Sequence, residues 1–88
     1  MNNGKKKALQ ALKTCRGQVD GIIAMIEEGR YCIDISNQIM ASQSMLKLAN
    51  RLILGQHLDG CVHEALKDKK KATEKLEEIG GIIEKLLS

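Results

Sequence analysis

The stretch His57-Leu58-Asp59-Gly60-Cys61 sets an imidazole and a thiol four residues apart. On a helix, residues at i and i+4 share a face, so both side chains can reach one ion. Nitrogen and soft sulfur donors together suit a transition metal. Two ligands rarely hold one, which directs attention to a third. Cys32 lies 25 residues earlier. At roughly 100° per residue, that spacing is about 20° short of seven full turns, so on a continuous helix Cys32 faces nearly the same way as the pair. It also lies ~37 Å away along the axis, at ~1.5 Å per residue. One chain therefore cannot close a site from all three. Two copies can, if the helix pairs with itself antiparallel about a two-fold axis near Met45. Cys32 of one copy then meets His57 and Cys61 of the other, and symmetry makes two equal sites. In that pairing Ile39, Ser42, Leu46 and Ala49 meet their mates. Two thiolates and an imidazole in a trigonal arrangement fit Cu(I); Zn(II) usually takes a fourth ligand, and cobalt or nickel more nitrogen and oxygen.

Three helical segments are expected to carry these residues. The first runs roughly from Lys5 to Glu28, with Leu12, Cys15, Val19, Ile22 and Ile26 in a heptad seam and Gly29 as its stop. Cys15 reads as a small buried hydrophobe. The second runs from about Tyr31 to Leu66. Its apolar residues form two stripes, Ile35, Ile39, Leu46, Ala49 and Ile53 on one and Ile33, Met40, Leu48 and Leu52 beside it. An arc this wide needs cover on several sides, and a second copy of the chain is the simplest supply. The third follows Asp68 as N-cap, with Ala72, Leu76, Ile79, Ile83 and Leu86 or Leu87 as its seam. Gly80-Gly81 costs about 1 kcal/mol per glycine relative to alanine, so a kink or a frayed turn is expected there.

Composition agrees. The 88 residues suffice for one domain, residues 1–88, with a modest core. Proline, tryptophan and phenylalanine are absent, and Tyr31 is the only aromatic residue. That excludes an ordinary β-sandwich or barrel and favours an all-α bundle. No apolar run approaches the ~18 residues of a membrane span, and the start MNNGKKKALQ lacks the apolar core of a secretory signal. A cytoplasmic protein is expected. Its three cysteines are then thiols for metal binding or redox sensing rather than a disulfide framework. There is no C-x-x-C, no base poised beside a nucleophile and no room for a pocket holding a small organic substrate, so an enzyme is not expected.

The segments GQVDGI (residues 17–22), RYC (30–32) and HLDGCV (57–62) stand in a register that resembles the copper-sensitive operon repressor family, across about Lys5 to Leu87. The resemblance implies an all-α, three-helix protomer that forms an antiparallel four-helix-bundle dimer and then a flat tetramer. It implies a repressor that binds operator DNA when metal-free and releases it on binding Cu(I). The ligand set carries over as Cys32, His57 and Cys61, with Tyr31 and Glu77 matching a tyrosine and a third-helix glutamate that act just outside it. Asn3 stands where the nickel/cobalt branch carries a histidine, which favours copper.

No helix-turn-helix, zinc finger or stacking platform is present. DNA binding would rest on basic residues over an oligomer face. The candidates are Lys5, Lys6, Lys7, Lys13 and Arg16 on the first helix and Lys47 and Arg51 on the second. The formal charge of +3 per chain is mild but multiplies in a homodimer or homotetramer. Two other readings remain open on this scaffold. One is a persulfide or thiol-oxidant sensor in which Cys32 and Cys61 join through a disulfide or polysulfide; the other is a copper-buffering protein with no DNA role. His57 favours the metal.

Overall fold

Asn2 starts the first helix as its sequence suggests: its side-chain oxygen accepts the Lys5 N–H at 2.8 Å, satisfying one of the unpaired donors of the first turn. In the computed structural model, which describes residues 2–87, three helices follow in order: α1 (Asn3–Glu27), α2 (Cys32–Lys67) and α3 (Ala72–Leu87), with a 3-10 turn over Lys69–Lys71. Among the described residues there is no strand, and no helix is long and apolar enough to cross a membrane. Gly29 stops α1 in the left-handed region at φ 69°, where the Arg30 N–H reaches the Met25 carbonyl and the Gly29 N–H that of Ile26. That is a Schellman closure, and it needs a residue without a Cβ. Asp68 accepts the Lys70 N–H at 3.0 Å and turns the chain from α2 into α3.

Helix α2 is unbroken over 36 residues. Helix α1 folds back along it antiparallel, so that its first turn lies beside Gln56 and Cys15 lies beside Ser42. The contact is built from small residues. Ala8, Ala11, Cys15, Ser42 and Ala49 are all buried, with Met45 and Leu52 packed around them. Gly4 lies directly under a side chain of α2: a Cβ there would stand 2.7 Å from the Gln56 side-chain oxygen. The polar members are satisfied within the contact. The Cys15 thiol donates to the Ser42 carbonyl at 3.6 Å, and the Ser42 hydroxyl donates to the Gln18 side-chain oxygen at 3.2 Å. Helix α3 returns along the far half of α2, where Ile82 and Cys61 are buried.

The phase of these contacts differs from the expected seams. In α1, Cys15 and Ile22 face α2, but Leu12, Val19 and Ile26 stay exposed, and Ala8 and Ala11 complete the buried face. In α3, Ile82 is buried and Lys75, Glu78 and Ile79 are half-buried, while Leu76 and Ile83 point away. Helix α3 also continues through Gly80-Gly81 to Leu87, without the expected fray. Ser42 and Ala49, expected at a two-fold axis, are covered by α1 of their own chain. The reason is steric: small side chains let helix axes close up, so they take the intramolecular contact and the bulkier ones are displaced to the next face.

The outcome is a slab of 59 × 26 × 12 Å. Domains bury their apolar faces between at least two packed layers. Here one thin layer leaves Leu9, Leu12, Val19, Ile23 and Ile26 of α1 and Ile33, Ile39, Met40, Leu46 and Ile53 of α2 exposed.

Candidate metal centre

His57 and Cys61 sit on the face of α2 that meets α3. Across from them, α3 presents Glu78. One donor atom from each of the three lies within 4.8 Å of the others. Their surroundings differ. Cys61 is buried, whereas the His57 side chain is 55% exposed and that of Glu78 39% exposed, so an ion would enter past the imidazole. The His57 Nε2–H donates to Glu78 Oε1. The second Glu78 oxygen is 3.4 Å from Lys75 Nζ, and Lys75 makes a closer bond, 2.7 Å, to Glu64. A chain of polar contacts Glu64–Lys75–Glu78–His57 thus ties α3 to α2.

This arrangement sets the protonation of its members. Burial pushes the Cys61 thiol above its ordinary value, and the Glu78 carboxylate, which accepts its proton and repels a thiolate, pushes it the same way. Glu78 is held below the ordinary carboxylate value, first by the His57 hydrogen bond and then by that from Cys61. Glu64 is lowered by its bond to Lys75, and Lys75 is raised in return. The metal-free site is therefore a neutral thiol facing a charged carboxylate.

The other expected ligand lies elsewhere. Cys32 is the first residue of α2 and is exposed. The continuity of the helix puts it ~37 Å from His57 along the axis, at ~1.5 Å per residue. Tyr31, the residue before α2, is 68% exposed and makes no side-chain capping bond. Glu77 is exposed, and its neighbour Glu78 is the residue that reaches His57. The family resemblance singles out Glu77, and the apolar seam expected for α3 does not include Glu78. The buried face is set by Lys75, Glu78, Ile79 and Ile82, and a step of one residue is about 100°.

The basic residues singled out in the sequence, Lys5, Lys6, Lys7, Lys13, Arg16, Lys47 and Arg51, are all exposed. Arg16 emerges within the open apolar stripe of α1, between Leu12 and Val19. Lys47 and Arg51 line a recess together with Lys85 of α3, a cation that sequence spacing could not have joined to them.

A family profile described as metal-sensitive transcriptional repressor matches residues 4–85. The chain belongs to that family. Its name is that of a regulator and not of an enzyme. Among curated members, the copper-sensing transcriptional repressor CsoR of Mycobacterium ulcerans is 46% identical over 68 residues, which cover 77% of this chain and 58% of that protein. The copper-sensing transcriptional repressor RicR of Mycobacterium tuberculosis is 37% identical over 84 residues, covering 94% of this chain and 88% of its own. CsoR of Bacillus subtilis is 41% identical over 63 residues, 72% of this chain and 62% of its own. The chain thus spans under two thirds of the two CsoR repressors and most of RicR. No solved structure matches. In this family member the His-x3-Cys pair and the α3 carboxylate are the elements that one protomer assembles.

Proposed function

We propose that this chain, residues 1–88 acting as one domain, is a Cu(I)-responsive transcriptional repressor of the cytoplasm. It binds operator DNA when metal-free and leaves it on loading with Cu(I). The observation that carries the proposal is the unbroken α2, with Cys32 at its first residue and His57 and Cys61 together near its other end. Only a second copy, antiparallel to the first, supplies the missing thiolate. The open stripe of Ile39, Leu46 and Ile53 between the two ends gives that copy an apolar surface to meet. The dimer is then an antiparallel four-helix bundle. The exposed residues left on α1 suit a further pairing into a flat tetramer.

The donors fit a soft ion: thiolates from Cys32 and Cys61 and the imidazole of His57 suit three-coordinate Cu(I). Bound copper would supply a centre joined to both subunits of the dimer. The protein's own groups set what joining entails. Cys61 must release its proton, which burial and Glu78 resist, so loading is coupled to proton release. His57 must leave the Glu78 hydrogen bond if Nε2 is its ligand atom, and this loosens one tie between α2 and α3. If the DNA-bound arrangement keeps that tie, copper weakens DNA binding and DNA weakens copper binding by the same factor. Lys5, Lys6, Lys7, Lys13, Arg16, Lys47 and Arg51 hold phosphate, giving salt-dependent affinity with little base readout. Tyr31 precedes Cys32 and Glu77 adjoins Glu78 on α3, and both would act on a ligand from just outside the set once a second copy closes the site. The copper-sensing repressors among the relatives support the choice of ion.

The test is an anaerobic DNA mobility shift on the chain's own upstream region, with one equivalent of Cu(I) per subunit and a polysulfide donor in parallel. Release by copper, lost in Cys32→Ala, is expected. Release by polysulfide alone would make Cys32 and Cys61 a redox pair and His57 a bystander. Copper binding without any shift across a panel of upstream regions would leave a copper buffer.

A further inference from the structure

We infer that each protomer carries a second mode of metal binding, in which His57, Cys61 and Glu78 of one chain hold a borderline divalent cation of the zinc class without Cys32. This rests on the reading of His57 and Cys61 as ligands, and on neither Cys32, dimerisation nor repression.

Three observations support it. The first is proximity within one chain. The nitrogen, sulfur and oxygen donors already lie within 4.8 Å of one another. Donors around a tetrahedral zinc are roughly 3.3–3.8 Å apart, as ~2.0–2.3 Å bonds require. His57 and Glu78 are already in hydrogen-bond contact, so their donors would part to that spacing while the longest gap closes by up to about 1 Å, movements within reach of half-exposed side chains. The second is donor type. A carboxylate is a hard ligand that divalent zinc and cobalt accept and Cu(I) does not favour. Three protein ligands with an open fourth position describe a common zinc arrangement. His57 and Glu78 open to solvent on the side where water or another donor would bind. The third is charge. The Cys61 thiolate and Glu78 together carry two negative charges, which match a divalent ion. Lys75, the lysine paired with Glu78, is already answered by Glu64 at 2.7 Å, closer than its 3.4 Å approach to Glu78. Lys75 also meets the Glu78 oxygen other than the one that faces His57, so the inner oxygen would exchange its hydrogen bond from His57, and not the Lys75 contact, for the metal.

The two modes use the same His57 and Cys61 and exclude each other. They differ in the third ligand, Cys32 from a second copy for a soft monovalent ion and Glu78 from the same chain for a divalent one. Discrimination between the two classes of ion thus lies in whether α3 or a second subunit reaches the pair.

Cobalt(II) is the probe, because its visible bands report coordination number and its near-ultraviolet sulfur band reports thiolate ligation. The full-length chain is titrated anaerobically as wild type, Cys32→Ala, Glu78→Gln and Glu74→Gln, and each variant is also titrated with Cu(I) against a competing chelator. Wild type and C32A are expected to bind one Co(II) per chain with four-coordinate bands and one thiolate. E78Q is expected to lose Co(II) affinity by more than the roughly 10–100-fold that removing an outer partner costs, with Cu(I) binding kept. E74Q, at an exposed glutamate of α3 outside the site, is expected to bind Co(II) as wild type does. Glutamine keeps the shape of Glu78 and can accept the His57 hydrogen bond, and helicity by circular dichroism confirms the fold. Should E78Q prove unfolded, protection of Cys61 from alkylation by Zn(II) in C32A, mapped by mass spectrometry and absent in a His57→Gln form, replaces it. Undiminished Co(II) binding by E78Q, or loss of the cobalt spectrum in C32A, overturns the proposal. Failure of Cu(I) binding in wild type with cobalt binding retained would overturn the copper reading and leave this one standing.

Discussion

Leu46 is the middle of the open stripe on α2, and replacing it with glutamate separates the roles of the protomer and the dimer. The side chain is 51% exposed, so it adds little to the fold of one chain. Full burial of a leucine is worth ~1.5–3 kcal/mol, so about half of that, ~1 kcal/mol, is still to be gained at a partner. Ile33, Ile39, Met40 and Ile53 are exposed to similar degrees, between 41% and 55%. Five such residues on each chain bring roughly 10 kcal/mol to a two-fold contact, against the ~4–15 kcal/mol that association costs. The proposed dimer would thus be held by a narrow margin. Leu46→Glu removes its share twice, about 2–3 kcal/mol per dimer. It also sets two carboxylates near the axis in an apolar contact, a penalty of several kcal/mol. The sum exceeds ~5 kcal/mol, which is more than three decades in Kd.

Sedimentation and light scattering at micromolar concentration are therefore expected to show a folded monomer. The Cu(I) affinity of that monomer falls with the loss of Cys32 from a second copy, while Co(II) binding through Glu78 continues. A variant that remains dimeric and binds copper as tightly as wild type would refute the reasoning, since the α2 stripe would then not be the contact that completes the copper site.

Further outcomes follow from the same geometry. Cys32→Ala should bind operator DNA as wild type does in a mobility shift and no longer respond to copper, since Cys32 is exposed and remote from the packed residues. Gly29→Ala should lower stability in urea by ~1–2 kcal/mol, because φ 69° places its new Cβ against the following carbonyl. Cys15→Ala should cost about 1 kcal/mol through its lost hydrogen bond to Ser42 and leave metal binding unchanged. Glu64 is held below its ordinary value by Lys75, so its contribution is present above that value and is lost as pH falls through the depressed one. Hydrogen exchange of α3 should accordingly rise below the ordinary carboxylate range in wild type, and show a weaker pH dependence in Lys75→Met.

What the sequence disclosed, and what it concealed, has one physical origin. Helix boundaries were legible because they are local: Gly29 and Asp68 act through bonds to residues two to five positions away. The continuity of α2 was legible because no proline breaks it. The rotation of α1 and α3 was not, because periodicity ranks positions by hydrophobicity and the tight contact ranks them by size. Ala8 and Ala11 carry little apolar weight, yet they are the most closely packed residues of α1. Leu12, Val19 and Ile26 carry more and are left for a second layer. On α3 the same displacement moves Ile82 inward and Ile83 outward, and it is what puts Glu78 rather than Glu77 against His57. The displacement is partial, since Cys15, Ile22 and Ile79 lie on both the expected and the observed faces, and each residue it moves outward stands about 100° from one it moves inward. It arises wherever a helix must offer one face to its own chain and a neighbouring face to another. In such a chain the bulkier of two adjacent seams marks the surface left for a partner, and the residue one step behind it marks what the protomer holds by itself.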